Sequence, residues 1–324
     1  MMILDKGLLL LSIISVFFTL GRFLFWKFPL ELLTHFQVYY FWVTLLLVPV
    51  VVILLPVQKI RSRITLFILL FTLVVNGLEL ANWYLPNQRM TLDKTHILRV
   101  MTFNIHIENS EVDRLVNSII SANPDLVLTV EIDQTMKKNI ETRVKDRFPY
   151  SFQSPGGGLA VFSKLPLEDS SGQKFPGSNA TNLVTHIRYQ NQQIQIIGTH
   201  PQVPVKLDRF TSRNQQLSTL VNHLQYEDRP TILMGDFNLT PWSPYYQQFI
   251  NKASLHNTRS GFGILPTWIR PSTTVNLPRL LLPFLNIPID HIFVSKMFKV
   301  ANTYTGDNGN SDHAPIISEL VVSP

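Results

Sequence analysis

The sequence predicts a three-helix membrane anchor followed by one α/β domain, and three observations lead to this fold class. Long apolar runs dominate residues 1 to about 86, whereas later residues alternate between strand-like and helix-like patterns. Polar residues typical of catalysis follow several of the strand-like runs. Strands and helices mixed over roughly 230 residues favour one domain with two sheets in its core and helices outside. We therefore predict an anchor at residues 1–86, a linker at 87–97 and a catalytic domain at 98–324.

The anchor prediction depends on the length of the apolar runs. Residues 8–25, 36–57 and 64–78 form runs with few or no charged side chains. Each is close to the ~20 residues that cross a bilayer as a helix. The alternative is a cleaved signal peptide followed by core helices, but three long runs in a row exceed what a signal peptide explains.

Lysine and arginine near the runs predict the orientation. The short turn between the second and third runs carries Lys59, Arg61 and Arg63 and should face the cytoplasm. An odd number of spans then places the catalytic domain on the extracytoplasmic side, although Arg22 and Lys27 weaken this bias. We expect a multi-pass protein of the inner or plasma membrane.

Charge and cysteine content narrow the function classes. The chain has a net charge of +6, but residues 95–324 hold 20 basic and 18 acidic side chains, so this half is nearly neutral. A dense basic footprint for duplex DNA is therefore missing, which disfavours a nuclease without excluding one. The absence of cysteine excludes disulfides and thiolate metal sites.

The sequence of the catalytic half predicts strands and helices that alternate along the chain. Ser110 would cap the first helix, and Glu131, His200 and Asp236 each follow a strand. The expected strands are 99–105, 126–130, 159–162, 185–189, 193–198, 231–235, 289–295 and 314–322, and the expected helices are 112–120, about 207–225 and 244–252.

Two polar clusters stand out. Gly-Asp-Phe-Asn occupies residues 235–238 and Ser-Asp-His occupies residues 311–313. Asp236 and Asn238 lie two residues apart, so an extended backbone would place both side chains on one face. A carboxylate, an amide and an Asp-His pair suit a site that holds a divalent cation and a phosphate together.

Taken as an ordered set, these residues resemble the endonuclease/exonuclease/phosphatase superfamily, which includes type I deoxyribonucleases and neutral sphingomyelinases. The resemblance covers about residues 98–321 and implies a four-layer α-β-β-α sandwich. The three-helix anchor resembles a bacterial membrane-bound branch. The matching pieces are 102–104, 125–131, 162–167, 198–200, 235–238, 289–293 and 311–315.

The resemblance also implies a metal site. Glu131 would be the main ligand of Mg²⁺, with Mn²⁺ as the alternative, and Asn104 and Asp312 would lie close to the metal. A small set of oxygen ligands suits such an ion, which keeps waters and borrows phosphate oxygens.

The catalytic roles follow from the same resemblance. Asp236 would orient and deprotonate the attacking water, and Asn238 would hold a phosphate oxygen. His313 would contact the phosphate with Asp290 fixing its ring, and His200 would donate a proton to the leaving group. Either Asp236 or the Asp290–His313 pair would be the general base.

The remaining histidines are predicted to have no catalytic role. His291 directly follows Asp290 but should point to the other side of its strand, as a packed residue. The other histidines set aside in this way are His106, His186, His223 and His256.

An apolar, proline-punctuated segment bears on the substrate. Residues 261–271 and 280–285 are too irregular for a strand, so they form either a packed loop or a lid that receives a lipid tail. In the second interpretation Trp268 and Phe284 would contact the lipid, and Arg270 or Arg279 would meet a phosphate. We expect a Mg²⁺-dependent phosphohydrolase or phosphodiesterase acting on a lipid-linked or membrane-proximal phosphate ester. The alternatives are an anchored extracytoplasmic nuclease and a non-catalytic receptor on a degenerate enzyme fold.

Overall fold

The computed structural model describes residues 2–55, 58–85, 96–156 and 158–322. The predicted linker falls largely on residues 86–95, which lie outside the described residues. The α-helices are α1 (Met2–Leu24), α2 (Gln37–Leu54), α3 (Ile60–Tyr84), α4 (Val112–Ala122), α5 (Gln134–Val144), α6 (Leu207–Leu224) and α7 (Pro244–Ala253). The strands are β1 (Leu98–Asn104), β2 (Leu126–Val130), β3 (Tyr150–Gln153), β4 (Leu159–Ser163), β5 (Glu168–Lys174), β6 (Thr181–Tyr189), β7 (Gln192–Thr199), β8 (Thr231–Asp236), β9 (Leu255–Asn257), β10 (Asp290–Ser295), β11 (Phe298–Thr305) and β12 (Ile316–Val322).

Two six-stranded sheets form the middle of the catalytic domain. One has the order β11-β12-β1-β2-β4-β3 and the other β5-β6-β7-β8-β10-β9. Apolar residues of α4 and α5 cover the outer face of the first sheet, and those of α6 and α7 cover the outer face of the second. The predicted four-layer α-β-β-α sandwich is confirmed.

The strands bury both faces, and alternate residues separate the two sides. Leu98 and Val100 of β1 enter the core between the sheets, whereas Met101 and Phe103 face the helices. On β8, Ile232 and Met234 likewise point between the sheets. This period of two fixes which side chains at each strand end can meet across the sandwich.

The sequence prediction found the eight central strands and missed β3, β5, β9 and β11. These four strands are the edges of the two sheets. Edge strands are commonly short or polar, because one side of the ladder has no partner. The strand β5 reads Glu-Asp-Ser-Ser-Gly-Gln-Lys and β9 has three residues, so neither shows an apolar alternation. The predicted cap of α4 was wrong, since that helix begins after Glu111 without a side-chain cap.

Three helices of the N-terminal region are long and apolar enough to cross a membrane. They comprise residues 3–24, 30–54 and 60–84, with mean hydropathy from 2.0 to 2.2. Polar side chains inside the bundle pair with one another: Ser15 lies 2.6 Å from Thr44, and the Asn76 amide donates to the Thr19 hydroxyl over 2.9 Å. Between α1 and α2 the chain forms a 3₁₀ segment, Leu30–Phe36, which contacts the catalytic domain. The sequence analysis did not predict that contact.

Candidate active site

The predicted polar residues lie where the inner rows of several strands end. Asn104 continues the row of Leu98 and Val100, and Asp236 continues the row of Ile232 and Met234. Asp290 lies on the same face of β10 as Ile292 and Val294, so its side chain also points between the sheets. In the β8–β10 register it is paired with Asp236. The alternation that fills the core with apolar side chains therefore ends in a cluster of polar groups.

The side-chain amide of Asn104 forms hydrogen bonds with two carboxylates. Its amide nitrogen donates to Glu131 Oε1 over 2.9 Å and to Asp236 Oδ2 over 3.1 Å. Its amide oxygen accepts the backbone N–H of His106 over 3.0 Å. In this orientation Asn104 positions the carboxylates, and binding a metal itself would require its amide oxygen to turn toward the ion.

The groups around Glu131 favour its ionised form. It follows β2 with a φ of 59°, a left-handed conformation that side chains rarely adopt outside constrained sites. Burial alone would raise the pKa of Glu131, but the Asn104 hydrogen bond and the nearby His200 and His313 lower it below its usual value. A carboxylate held charged in this way suits a cation.

His313 and Asp290 form a buried pair. His313 Nδ1 lies 2.8 Å from Asp290 Oδ2, and the side chains are only 6% and 1% exposed. Burial alone would lower the pKa of His313, but the Asp290 carboxylate, with Asp236 and Asp312 nearby, raises it to about 10. The ring is therefore an imidazolium at neutral pH.

Asp236 is a second buried carboxylate that faces that ring. Its Oδ2 lies 3.8 Å from His313 Nε2, and its Oδ1 accepts the backbone N–H of Asn238 over 2.8 Å. Burial, followed by the like charge of Asp290, raises the pKa of Asp236 to about 8. A carboxylate with such a pKa is a stronger base than an ordinary aspartate, and its ionised fraction increases as pH rises through about 8.

His200 also reaches the cluster. Its Nε2 lies 3.8 Å from Glu131 Oε1 and 3.8 Å from Asp236 Oδ2. Burial lowers the pKa of His200, so the neutral ring dominates near pH 7. This state suits hydrogen bonding to a phosphate oxygen better than the proton donation that the sequence analysis assigned to it.

Asp312 lies at the edge of the cluster with two neighbours that the catalytic assignments omitted. Trp268 Nε1 donates to Asp312 Oδ2 over 3.0 Å, and His106 Nδ1 lies 3.7 Å from Asp312 Oδ1. The same His106 nitrogen is 3.5 Å from Glu131 Oε2. His106, for which the sequence predicted no catalytic role, therefore lies beside two predicted metal ligands. Its place two residues after Asn104, just beyond β1, was the signal in the sequence.

Asn238 is held by its surroundings on three sides. It adopts a φ of 48°, its amide donates to the Pro201 carbonyl over 3.0 Å, and its own carbonyl accepts from Arg213 Nη1 over 3.2 Å. His291, in contrast, points to the helix side of β10. There it is fully buried beside Leu239 and Arg259, as its strand position predicted.

The residues present fit a divalent cation. Asp312 Oδ1 is buried and has no hydrogen-bond partner, which leaves an oxygen that a cation would satisfy. Ligand atoms of Glu131, His200 and Asp236 lie within 4.8 Å of one another. Carboxylate oxygens of this kind suit Mg²⁺ or Mn²⁺.

A cleft of about 430 Å³ opens onto the cluster. Glu131, Asp236, Asn238, Asp312 and His313 line its polar end. Its apolar walls are formed by residues of the 3₁₀ segment, the loop before α6 and the loop before β10, namely Leu32, Phe36, Val203, Pro204, Val205, Ile287 and Ile289. Among the described residues that line the cleft, none is a lysine or an arginine.

The structure places the four residues predicted to bind a lipid or its phosphate at different distances from the cleft. Trp268 lines the cleft. Phe284 is 64% exposed, the Arg270 guanidinium donates to the Pro266 carbonyl, and Arg279 lines a separate cleft. Of these four side chains, only that of Trp268 lines the cleft, although the backbone N–H of Arg270 donates to the Asp312 carbonyl over 2.8 Å.

Comparison with known proteins gives one family and several similar folds. The model of the endonuclease/exonuclease/phosphatase family matches residues 101–313. TDP2 from D. rerio, solved with a single-strand DNA product, has a TM-score of 0.57 at 16% identity, covering 70% of this chain and 99% of that chain.

Two bacterial proteins are also similar in fold. Beta toxin from Staphylococcus aureus with bound magnesium ions has a TM-score of 0.52 at 15% identity, covering 71% of this chain and 100% of that chain. Sphingomyelinase C from Streptomyces griseocarneus has a TM-score of 0.50 at 16% identity, with coverages of 69% and 99%. At these identities the similarity shows the fold alone. A comparison with curated proteins finds no match.

Proposed function

The chain belongs to the endonuclease/exonuclease/phosphatase family of phosphate-ester hydrolases, and from that membership we propose that it is a membrane-anchored, Mg²⁺-dependent phosphoesterase with a lipid-linked substrate. The observation that carries the proposal is the arrangement of one cleft. A His313–Asp290 pair and the Asp236 carboxylate form its polar end, and hydrocarbon side chains form its walls. An amphiphilic phosphate ester matches both parts.

The charged His313 ring would bind a non-bridging oxygen of the phosphate. Asp290 holds that ring in place and keeps its proton on, so positive charge faces the charge that develops in the transition state. Asn238 would donate to a second phosphate oxygen, and the contact of Arg213 with its carbonyl fixes its backbone.

Asp236 would accept the proton of the attacking water at Oδ2. Asn104 fixes the carboxylate from the other side, and the ionised fraction of Asp236 increases as pH rises through its pKa of about 8. Because Asp236 loses its proton at lower pH than His313, whose pKa is about 10, we assign the general base to Asp236 and leave the Asp290–His313 pair as an electrostatic clamp.

Glu131 and Asp312 would hold the metal, with Asn104 beside them. When bound, Mg²⁺ supplies positive charge at a phosphate oxygen and so stabilises the transition state. His200 would hydrogen-bond the phosphate from the neutral state of its ring.

Three features favour a lipid ester over a nucleic acid. The cleft walls are apolar, and no described residue lining the cleft is a lysine or an arginine that could follow a phosphate backbone. The catalytic half is also nearly neutral. The three candidate membrane helices would hold the cleft close to lipid head groups and so raise their local concentration.

The test is a substrate panel run on the full chain in lipid nanodiscs. The panel contains hexadecyl phosphate, hexadecyl p-nitrophenyl phosphate and a single-stranded oligonucleotide, each with Mg²⁺, with Mn²⁺ and with EDTA. We expect Mg²⁺-dependent hydrolysis of a hexadecyl ester, lost in Asp236→Asn.

Asp228→Asn is the matched control, because it changes an exposed carboxylate outside the site. Cleavage of the oligonucleotide alone would replace the lipid proposal with a nuclease. Equal rates with Mg²⁺ and with EDTA would contradict the metal requirement.

A further inference from the structure

We propose that the 3₁₀ segment Leu30–Phe36 of the anchor is a working part of the substrate site, in which Leu32 and Phe36 select esters with a long hydrocarbon chain. The inference rests on the proposed phosphoesterase function and assigns a specificity role to a region whose sequence suggests only a tether. Three sets of contacts support it.

The segment is fixed to the catalytic domain by buried polar contacts. Glu31 Oε1 lies 3.1 Å from Arg213 Nη2, and both side chains are fully buried. The Ser243 hydroxyl also donates to Glu31, and His35 Nδ1 lies 2.9 Å from the Thr240 hydroxyl. A buried ion pair tolerates the loss of neither partner, so it constrains where the segment can lie.

These contacts converge on the loop that carries Asn238. Thr240 and Ser243 belong to the turn between β8 and α7, directly after the Gly-Asp-Phe-Asn motif. Arg213 connects the two parts, because it meets Glu31 with one nitrogen and the Asn238 carbonyl with another, over 3.2 Å. The anchor segment and the catalytic loop therefore form one packed unit.

The segment also supplies surface to the cleft. Leu32 and Phe36 are half-buried and line the same cleft as Asp236 and His313. A phosphate bound at His313 would direct its ester chain along this surface.

Val203 and Val205 extend the apolar lining outward. They line the cleft and are 43% and 58% exposed, so the wall continues to the protein surface. The 3₁₀ segment begins the second candidate span, residues 30–54, so the cleft opens where that helix would meet the lipid surface. A hydrocarbon chain could pass from the bilayer to the wall with little exposure to water.

The experiment compares two substrates that differ only in chain length. Hexadecyl and methyl p-nitrophenyl phosphate share one reacting group, and hexadecyl and methyl phosphate are the corresponding pair if the wild type cleaves monoesters. Rates are measured on the full chain in nanodiscs for Leu32→Ala, Phe36→Ala and the double variant. Leu46→Ala is the matched control, because it removes a 68% exposed leucine from the outside of α2.

We expect kcat/KM for the hexadecyl ester to fall about tenfold or more in each single variant, the loss typical of a vacated apolar subsite. The methyl ester should be cleaved at the wild-type rate, which shows that the variants fold. Phe36→Leu, which keeps most of the apolar volume, should recover most of the hexadecyl activity.

Equal losses on both esters, or no loss on the hexadecyl ester, would overturn the specificity role. Failure of the wild type on every ester would instead overturn the proposed function. The two failures are therefore distinguishable.

Discussion

Replacing Asp290 by asparagine tests the electrostatic clamp with little change in shape. The substitution removes the negative charge 2.8 Å from His313 Nδ1 and keeps the size of the side chain. With this counter-ion gone, burial still lowers the pKa of the ring, and only the smaller effects of Asp236 and Asp312 oppose it. We expect the imidazolium to be lost at neutral pH.

The free energy by which Asp290 favours the charged His313 ring follows from the distance between the two groups and from the pKa of His313. A rise in the pKa of His313 from 6.5 to about 10 corresponds to roughly 5 kcal/mol in favour of the charged ring. Coulomb's law with an effective dielectric constant near 20 gives about 6 kcal/mol at this separation. The Coulomb figure is for the pair alone, whereas the pKa also includes the opposing effect of burial and the smaller effects of Asp236 and Asp312. The pair is too buried for solvent to screen it strongly.

The assay is a pH–rate profile of ester hydrolysis. In the wild type the charged ring is fully present below pH 6.5 and is lost only as pH rises through about 10. In Asp290→Asn it should already be lost above about pH 6.5, so at pH 8 protonation alone lowers the rate by about 30-fold or more. Looser positioning of the ring should bring the total loss to about 10²–10⁴-fold.

A double-variant cycle provides the control. Because Asp290 acts through His313, adding Asp290→Asn to His313→Asn should cost little more than His313→Asn alone. A variant rate that equals the wild-type rate at pH 8 would refute the clamp.

Three further predictions concern the metal, the anchor and the backbone. Glu131→Gln should weaken Mg²⁺ binding by about 10²-fold in calorimetric titration, because it removes the charge of the main predicted ligand. Glu31→Gln should lower the free energy of unfolding by about 3–5 kcal/mol in pulse proteolysis, because Arg213 stays buried without its counter-ion. Gly235→Ala should cost about 3 kcal/mol or more in the same assay, because its Cβ would lie 1.9 Å from the Thr199 carbonyl oxygen at a φ of 148°.

Each of these predictions has a control in the same chain. Asp228→Asn should leave Mg²⁺ binding unchanged. Adding Arg213→Met to Glu31→Gln should recover much of the lost stability, since the unpaired charge is gone. Gly156→Ala, at a φ of 73° with open space around it, should cost much less than Gly235→Ala. Unchanged Mg²⁺ affinity in Glu131→Gln, or unchanged stability in Glu31→Gln or Gly235→Ala, would contradict the corresponding contact.

The sequence was most informative where physical constraints repeat along the chain. Central strands alternate between two buried faces, so the sequence alone could place Asn104, Asp236 and Asp290 at strand ends. Edge strands such as β5 and β9 lack that constraint, and their polar or short sequences gave no strand pattern.

The contact of the 3₁₀ segment with the cleft could not be predicted from the sequence. Glu31 and Arg213 lie far apart along the chain, with the strands β1 to β7 between them, and no local pattern joins them. One signal was present, because a glutamate at the start of an apolar run is costly unless a partner satisfies it. The identity of that partner depends on tertiary packing alone.

The most direct test of the central claim is ester hydrolysis by the full chain in nanodiscs with and without Mg²⁺. We predict that hexadecyl ester cleavage requires Mg²⁺, stops with EDTA and is absent in Asp236→Asn at any metal concentration. Hydrolysis that persists in EDTA, or that Asp236→Asn retains at the wild-type rate, would contradict a metal-dependent phosphoesterase at this site.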